Sequence, residues 1–262
     1  MPGEPPIRRP PSWAWLAVAA TLAVQIPYPL VDGTSRAALT IISVLTVLTA
    51  SVLHAAATRG PRWTAAYLVS TVGTGLAVET LGVHTGVPFG RYAYGGSLGP
   101  RVFGVAAVVP LAWAMMAYPA YVLARRHEHA PYRAALLGGL VLATWDLFLD
   151  PQMVAAGHWT WSASGPALNG IPLTNFLGWL LVGTVLTGVL LALPDRHRHE
   201  RRDEAIPLAL LGWTYLSSVL ANAAFFGRPG VAVTGGLAMG AVLATGLRTW
   251  RGDRRDVPQG DP

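Results

Sequence analysis

The chain contains no cysteine and no lysine. Without cysteine it can form neither disulfides nor thiolate metal sites. All 19 basic residues are therefore arginine, and charge of either sign is scarce. Only 12% of the 262 residues are Asp, Glu, Lys or Arg, against about 25% in a typical soluble domain. No glycine-rich phosphate cradle follows a strand, and no histidine pair has metal-ligand spacing. These absences leave little room for redox, nucleotide or zinc chemistry, and no bound cofactor or metal is expected.

What the chain does have is apolar length. Hydrophobic residues make up 52% of it, mean hydropathy is +0.42, and several runs reach the ~20 residues that span hydrocarbon as a helix. The fold class this implies is all-α, a polytopic transmembrane helical bundle of about eight spans in one domain. Spans are expected near 13–31, 37–57, 63–82, 102–124, 133–150, 173–193, 205–225 and 229–247. The first is the weakest, with Gln25, Pro27 and Pro29, and losing it would leave seven. Residues 1–12 and 248–262 read as disordered tails. A cleaved signal peptide is not expected, because the first apolar run lacks a small-residue cleavage site and further spans follow.

The net charge of +6 would permit nucleic-acid binding, but the placement of arginine argues for a bilayer instead. With the N-terminus inside, the inner segments hold 15 arginines and the outer ones 4: Arg36, Arg91, Arg101 and Arg228. That asymmetry predicts eight spans with both termini cytoplasmic in the cell membrane.

Three of the 13 acids fall within expected spans: Glu79, Asp146 and Asp150. A carboxylate near a bilayer centre costs about 2.5–3.5 kcal/mol even on lenient scales, so such residues usually face protein and have a function. Glu79 and Asp146 reach a similar depth in the third and fifth spans, and Asn175 starts the sixth in the same layer. Asn222 is a further candidate for that layer.

The two helical hairpins carrying these acids form an internal repeat. Gly90 follows Glu79 at the distance at which Gly157 follows Asp146. Gly90-Arg-Tyr92-Ala-Tyr94 then matches Gly157-His-Trp159-Thr-Trp161. With one deletion, Gly99-Pro100 matches Gly165-Pro166, Gly104-Val105 matches Gly170-Ile171, and Trp113 matches Trp179. Spans three and four would thus relate to spans five and six by an axis along the membrane normal, with Glu79 and Asp146 facing each other. Thr71, Gly75, Glu79 and Gly82 share one stripe, as do Gly139, Ala143, Asp146 and Asp150, and small residues there permit close approach.

Plainer readings exist for each residue. The acids could only tie helices together, above all Asp150, whose neighbour Pro151 is expected to end its helix. Tyr92, Tyr94, Trp159 and Trp161 could be interfacial belt aromatics. His54 reads as a packing histidine, while His158 is balanced between loop and pocket. Asp146-x-x-x-Asp150 weakly suggests a diphosphate-metal motif, but Val83 stands where the repeat would need a second acid.

Carboxyl groups in an apolar, aromatic site suit acid catalysis on a hydrocarbon. A protonated acid can give H⁺ to an isolated alkene, aromatic faces can stabilise the cation, and an ionised partner can guide water. The stretches Glu79-Thr-Leu-Gly-Val-His-Thr-Gly-Val-Pro-Phe-Gly-Arg-Tyr-Ala-Tyr94, Leu98-Gly-Pro100, Trp145-Asp-Leu-Phe-Leu-Asp-Pro151, Gly157-His-Trp-Thr-Trp161 and Gly170-Ile-Pro-Leu-Thr-Asn-Phe-Leu-Gly-Trp179 resemble membrane carotenoid-biosynthesis proteins of the CruF type. That family includes carotenoid 1',2'-hydratases and bisanhydrobacterioruberin hydratases. The resemblance spans roughly residues 60–225. It implies cofactor-free addition of water to the terminal isopropylidene double bond of an acyclic ψ-end carotenoid.

The resulting expectation is a carotenoid hydratase with Asp146 or Glu79 as proton donor and the other guiding water, which Asp150 and Asn175 hold. Tyr92, Tyr94, Trp113, Trp145, His158, Trp159, Trp161 and Trp179 would line the substrate site. The expected partners are the carotenoid, the bilayer and other carotenoid-pathway enzymes. A carotenoid cyclase, capturing the same cation with a neighbouring alkene, is the first alternative. A proton-coupled transporter or carotenoid-binding protein is the second.

Overall fold

The computed structural model describes residues 8–127, 130–162, 165–195 and 202–252, with side chains as far as residue 245. Eight helices run in chain order: α1 (Ala14–Gln25), α2 (Gly33–Arg59), α3 (Pro61–Thr85), α4 (Val108–His127), α5 (Pro131–Ala155), α6 (Leu173–Ala192), α7 (Ala205–Leu220) and α8 (Pro229–Gly252). A 3₁₀ turn at Tyr28–Leu30 follows α1, and a π turn at Ala221–Phe225 extends α7. Six of these helices are long and apolar enough to cross a membrane: α2 to α6 and α7 with its π turn. The helical bundle expected from composition is therefore present, with α1 and the described part of α8 as shorter apolar helices. Residues 248–252, expected as tail, continue α8, and the remainder of that expected tail and residues 1–7 lie outside the described residues.

Helix α4 is the centre of the bundle, with 83% of its most apolar window buried, whereas only 17% of that of α7 is. Helices α5 and α6 approach most closely because each offers glycine: the Gly183 position would place a Cβ 3.1 Å from the Gly139 Cα, and Gly139 and Gly138 sit against Thr184 and Thr187. Helix α3 likewise meets α4 through Gly75, whose missing Cβ would lie 3.1 Å from the Trp113 ring. Dispersion at such short range replaces the hydrophobic drive that lipid cannot supply.

One expectation is corrected. Pro151 does not end α5, which continues to Ala155. A proline inside a helix removes one N–H, but its fixed φ is helical, and the following turn is satisfied. The Pro151 carbonyl accepts a hydrogen bond from Arg228 Nη1 (2.8 Å) and the Gln152 carbonyl accepts one from the Ala156 N–H (3.0 Å).

One end of the bundle is arginine-rich. Asp195 accepts from Arg202 (2.8 Å), Arg125 (3.2 Å) and buried Arg59 (3.4 Å), and Arg59 also stacks over Tyr121 and Trp63. His54 belongs to this end, packed as expected: it is buried and bonded to the Tyr118 hydroxyl (2.8 Å) and the Asp203 carbonyl (2.7 Å).

The opposite end carries six short strands. Strands β2 (Arg101–Val102) and β3 (Val105–Ala106) form one hairpin, and β5 (Ala167–Leu168) and β6 (Ile171–Pro172) form another. Their two-residue turns are equivalent. Phe103 and Gly104 have φ of 52° and 86°, and Asn169 and Gly170 have 52° and 83°, the positive pair a type I′ turn requires. Strands β1 (Tyr92–Tyr94) and β4 (Trp159–Trp161) pair antiparallel with each other, Ala93 opposite Thr160 at the centre. Ala93 and Thr160 are themselves equivalent positions of the sequence repeat, so a local two-fold axis passes between them. The repeat is a structural one.

Candidate active site

The site is built at the strand-bearing end, where the two hairpins meet. Glu79 is buried on α3 and draws three donors. The Tyr92 and Tyr94 hydroxyls donate to its Oε2 (2.5 and 2.7 Å) and the Trp113 indole N–H to its Oε1 (2.9 Å). Alternation along β1 puts Tyr92 and Tyr94 on one face, with Ala93 exposed between them. Gly82, one turn along α3, gives Tyr92 its room: a Cβ there would stand 2.8 Å from the Tyr92 hydroxyl. Burial, and after it the adjoining Glu79, push both tyrosines well above the ordinary phenol value. They therefore stay protonated and serve as donors.

The second half is not a copy. Asp146 and Asp150 lie on one stripe of α5, both buried, and the Asn175 side-chain amide forks between them at 2.6 and 2.5 Å. Two carboxyl groups thus share one amide, while the second Asp146 oxygen is buried with no hydrogen-bond partner among the described residues. The repeat equivalents of Asn175 and Asp150 are Val109 and Val83, so the first half has neither.

Between the halves lies a cavity of about 60 Å³, its lining chiefly apolar and including Glu79, Asp150, Asn175, Tyr92, Tyr94, Trp159 and Trp161. The repeat-equivalent indoles of Trp113 and Trp179 stack face to face across the axis, 3.9 Å between ring centroids and 12° between planes, and also line it. Trp161 leans on Tyr92 (4.9 Å) and Trp159 on Tyr94 (5.7 Å). The strand pairing thus gathers the aromatics of both copies.

Most residues singled out from the sequence converge here, with four exceptions. Asp146 stands behind Asp150 and Asn175 rather than in the cavity wall, so the acid facing Glu79 across the cavity is Asp150. Trp145 lies edge-on to Trp179 (5.8 Å) and lines a neighbouring chamber. His158 turns away from both cavities: its Nδ1 bonds the Ser97 hydroxyl (2.7 Å), and burial lowers its pKa. Asn222 is buried in the π turn and donates to its own helix at the Ser218 carbonyl (2.9 Å).

Sequence reasoning passed over Phe89, although it lies inside the Glu79–Tyr94 stretch. Phe89 is 2% exposed, lines the cavity, and packs against Tyr92, Trp113 and Trp179. Gly178 makes way for it, since a Cβ there would lie 2.7 Å from the ring. Thr40 and Val44 of α2 and Met115 of α4 complete the wall. They carry no motif, and only the packing of α2 on α4 reveals them.

The family match covers residues 36–247, under the description carotenoid biosynthesis protein. The chain belongs to the carotenoid biosynthesis protein family. The matched region holds every helix from α3 to α7 and all six described strands, so the residues of the site just described lie within it. Among curated proteins, the bisanhydrobacterioruberin hydratase of Haloarcula japonica is 36% identical over 113 residues, an alignment covering 41% of this chain and 38% of that protein. The aligned part is thus well under half of that relative's length. No solved structure matches this carotenoid biosynthesis protein.

Proposed function

We propose that this protein adds water to the terminal isopropylidene double bond of an acyclic ψ-end carotenoid, giving a tertiary alcohol without a cofactor. The observation that carries the reading is the placement of Glu79 and Asp150, from opposite halves of a pseudo-two-fold, on one small aromatic cavity. Family membership and the hydratase relative support it. The reading sets the protein in the cell membrane with its arginine-rich end and both termini cytoplasmic, following the charge asymmetry of its loops.

Asp150 is the proton donor. Like charges on neighbouring carboxyl groups do not both ionise in a dry site, so Asp146 and Asp150, sharing the Asn175 amide, hold a proton in common. Asp150 delivers it to the CH carbon of the alkene, and the π pair becomes the new C–H bond. The tertiary cation left on the dimethyl carbon is faced by Trp159, Trp161 and Tyr92, whose rings stabilise positive charge. Glu79 is the carboxylate. Its three donors fit an acceptor-only group, and it takes a proton from the water whose oxygen lone pair closes the C–O bond. The proton then returns from Glu79 to the aspartate pair, and alkene plus water has become alcohol. Asp146 is a positioning residue in this scheme, since it reaches the alkene only through Asp150.

The test is expression in cells that make lycopene, followed by mass analysis of the pigments. A product heavier by one water supports hydration. A product of unchanged mass and altered spectrum would mean that an alkene captured the cation, making the protein a cyclase.

A further inference from the structure

A second and larger cavity adjoins the acid cavity. It measures about 390 Å³ and lies between α2, α4, α5 and α7. Thr40, Val44, Met115, Leu149 and Met153 line both cavities, so these five side chains stand between the two. At its other side the chamber is bordered by Ile26, Leu216, Leu220 and Phe225, which are 60%, 63%, 60% and 50% exposed. These residues lie on membrane helices and their turns, so the mouth opens sideways toward lipid, between the turn after α1 and the π turn after α7. π turns break the helical register and recur at functional sites. Here the break shapes one lip of the mouth.

We infer that this chamber is the lateral port and cradle for the polyene chain of the substrate. The inference rests on the hydration reading for what happens at the chain's end. The chain enters from the bilayer past Phe225, lies along the chamber, and passes its isopropylidene terminus between the flexible side chains of Met115, Leu149 and Met153 to Glu79 and Asp150. Three features select a long hydrocarbon as occupant: a mainly apolar lining, an apolar rim in the membrane, and a shared wall with a cavity too small for more than a chain end. The pseudo-two-fold does not extend to this port, because α1, α2, α7 and α8 lie outside the repeat. One chain end therefore enters from one direction.

The experiment fills the chamber from two walls, with Ser217→Trp on α7 and Ser43→Trp on α2, both in the chamber lining and neither in that of the acid cavity. Each variant is assayed with lycopene and with farnesene, a short hydrocarbon bearing the same terminus, and the lycopene retained through purification is read by its visible absorbance. The expected result is a fall of about tenfold or more in lycopene turnover, the effect of losing even two buried methylenes, together with lost retention of pigment and unchanged farnesene turnover. Wild-type turnover of both hydrocarbons by both variants would overturn the proposal and leave the chamber to membrane lipid. Loss of both substrates in a variant that purifies as a single species would also overturn it, since the chamber would then act on the acids and not on the chain. If wild-type protein hydrates neither hydrocarbon, the hydration reading fails by itself. Pigment retention, kept by wild type and lost from the filled variants, then still decides the port.

Discussion

Removing the donors on Glu79 gives the most direct test of its part in the reaction. The Tyr92 and Tyr94 hydroxyls both end on Oε2, at 2.5 and 2.7 Å. A hydrogen bond to a charged group contributes about 1.5–3 kcal/mol, and each 1.36 kcal/mol is a factor of ten in rate. Tyr94→Phe should therefore lower the hydration rate by about ten- to a hundredfold. The Tyr92→Phe, Tyr94→Phe double variant should fall well below either single one, while Trp113 still holds Oε1. The phenyl rings keep their packing against Trp159 and Trp161, so the melting temperature should move far less than the rate. Turnover is measured on membranes supplied with lycopene, following the alcohol by mass, with thermal unfolding in detergent as the control. A double variant that hydrates at the wild-type rate would refute the assignment of Glu79 as an anchored, acting carboxylate. A rate loss that merely tracked loss of folded protein would refute it equally.

Other outcomes follow from neighbouring features. Asp150→Asn should abolish hydration, a loss of about 10²–10⁴ for a general acid, whereas Asp146→Asn should leave a slower enzyme with a displaced pH–rate profile. Gly82→Ala should impair turnover because its Cβ meets the Tyr92 hydroxyl, while Gly73→Ala, with nothing within 4 Å, should match wild type. Asp195→Asn removes the carboxylate that Arg59, Arg125 and Arg202 share at the opposite end and should lower the melting temperature while leaving the site's geometry in place. His158 has its pKa lowered from 6.5 by burial, so folding holds it neutral while the unfolded chain protonates. Stability is fully present above pH 6.5 and declines as pH falls below that value, and His158→Gln should flatten this decline in a series of melting curves.

Much of the site was legible in the sequence because a bilayer makes polarity conspicuous. Glu79, Asp146 and Asp150 stand out against hydrocarbon-length runs, and the glycine and aromatic positions of the two hairpins align without gaps until Gly99. The division of labour between Asp146 and Asp150 was not legible. Both occupy one helical stripe about 6 Å apart along the axis, so only the seating of α5 against α3 decides which one reaches the cavity. Helix α5 also runs past Pro151, the opposite of what an isolated proline suggests. The pairing of β1 with β4 was hidden for a different reason. Three-residue strands carry too little alternation to declare themselves, and their partners lie far apart in the chain. Thr40, Val44 and Met115 look like ordinary span residues and gain meaning only from the helix they face.

The axis between Ala93 and Thr160 has a consequence for stereochemistry. A planar alkene placed on such an axis presents one face to each half of the protein. On the proposed mechanism, Asp150 on α5 and Glu79 on α3 would then address opposite faces, and proton and water would arrive anti to each other. The carbon receiving the proton becomes a methylene, so its handedness is invisible in ordinary water. In deuterium oxide the same carbon becomes CHD, and a scaffold of this symmetry sets it in one configuration.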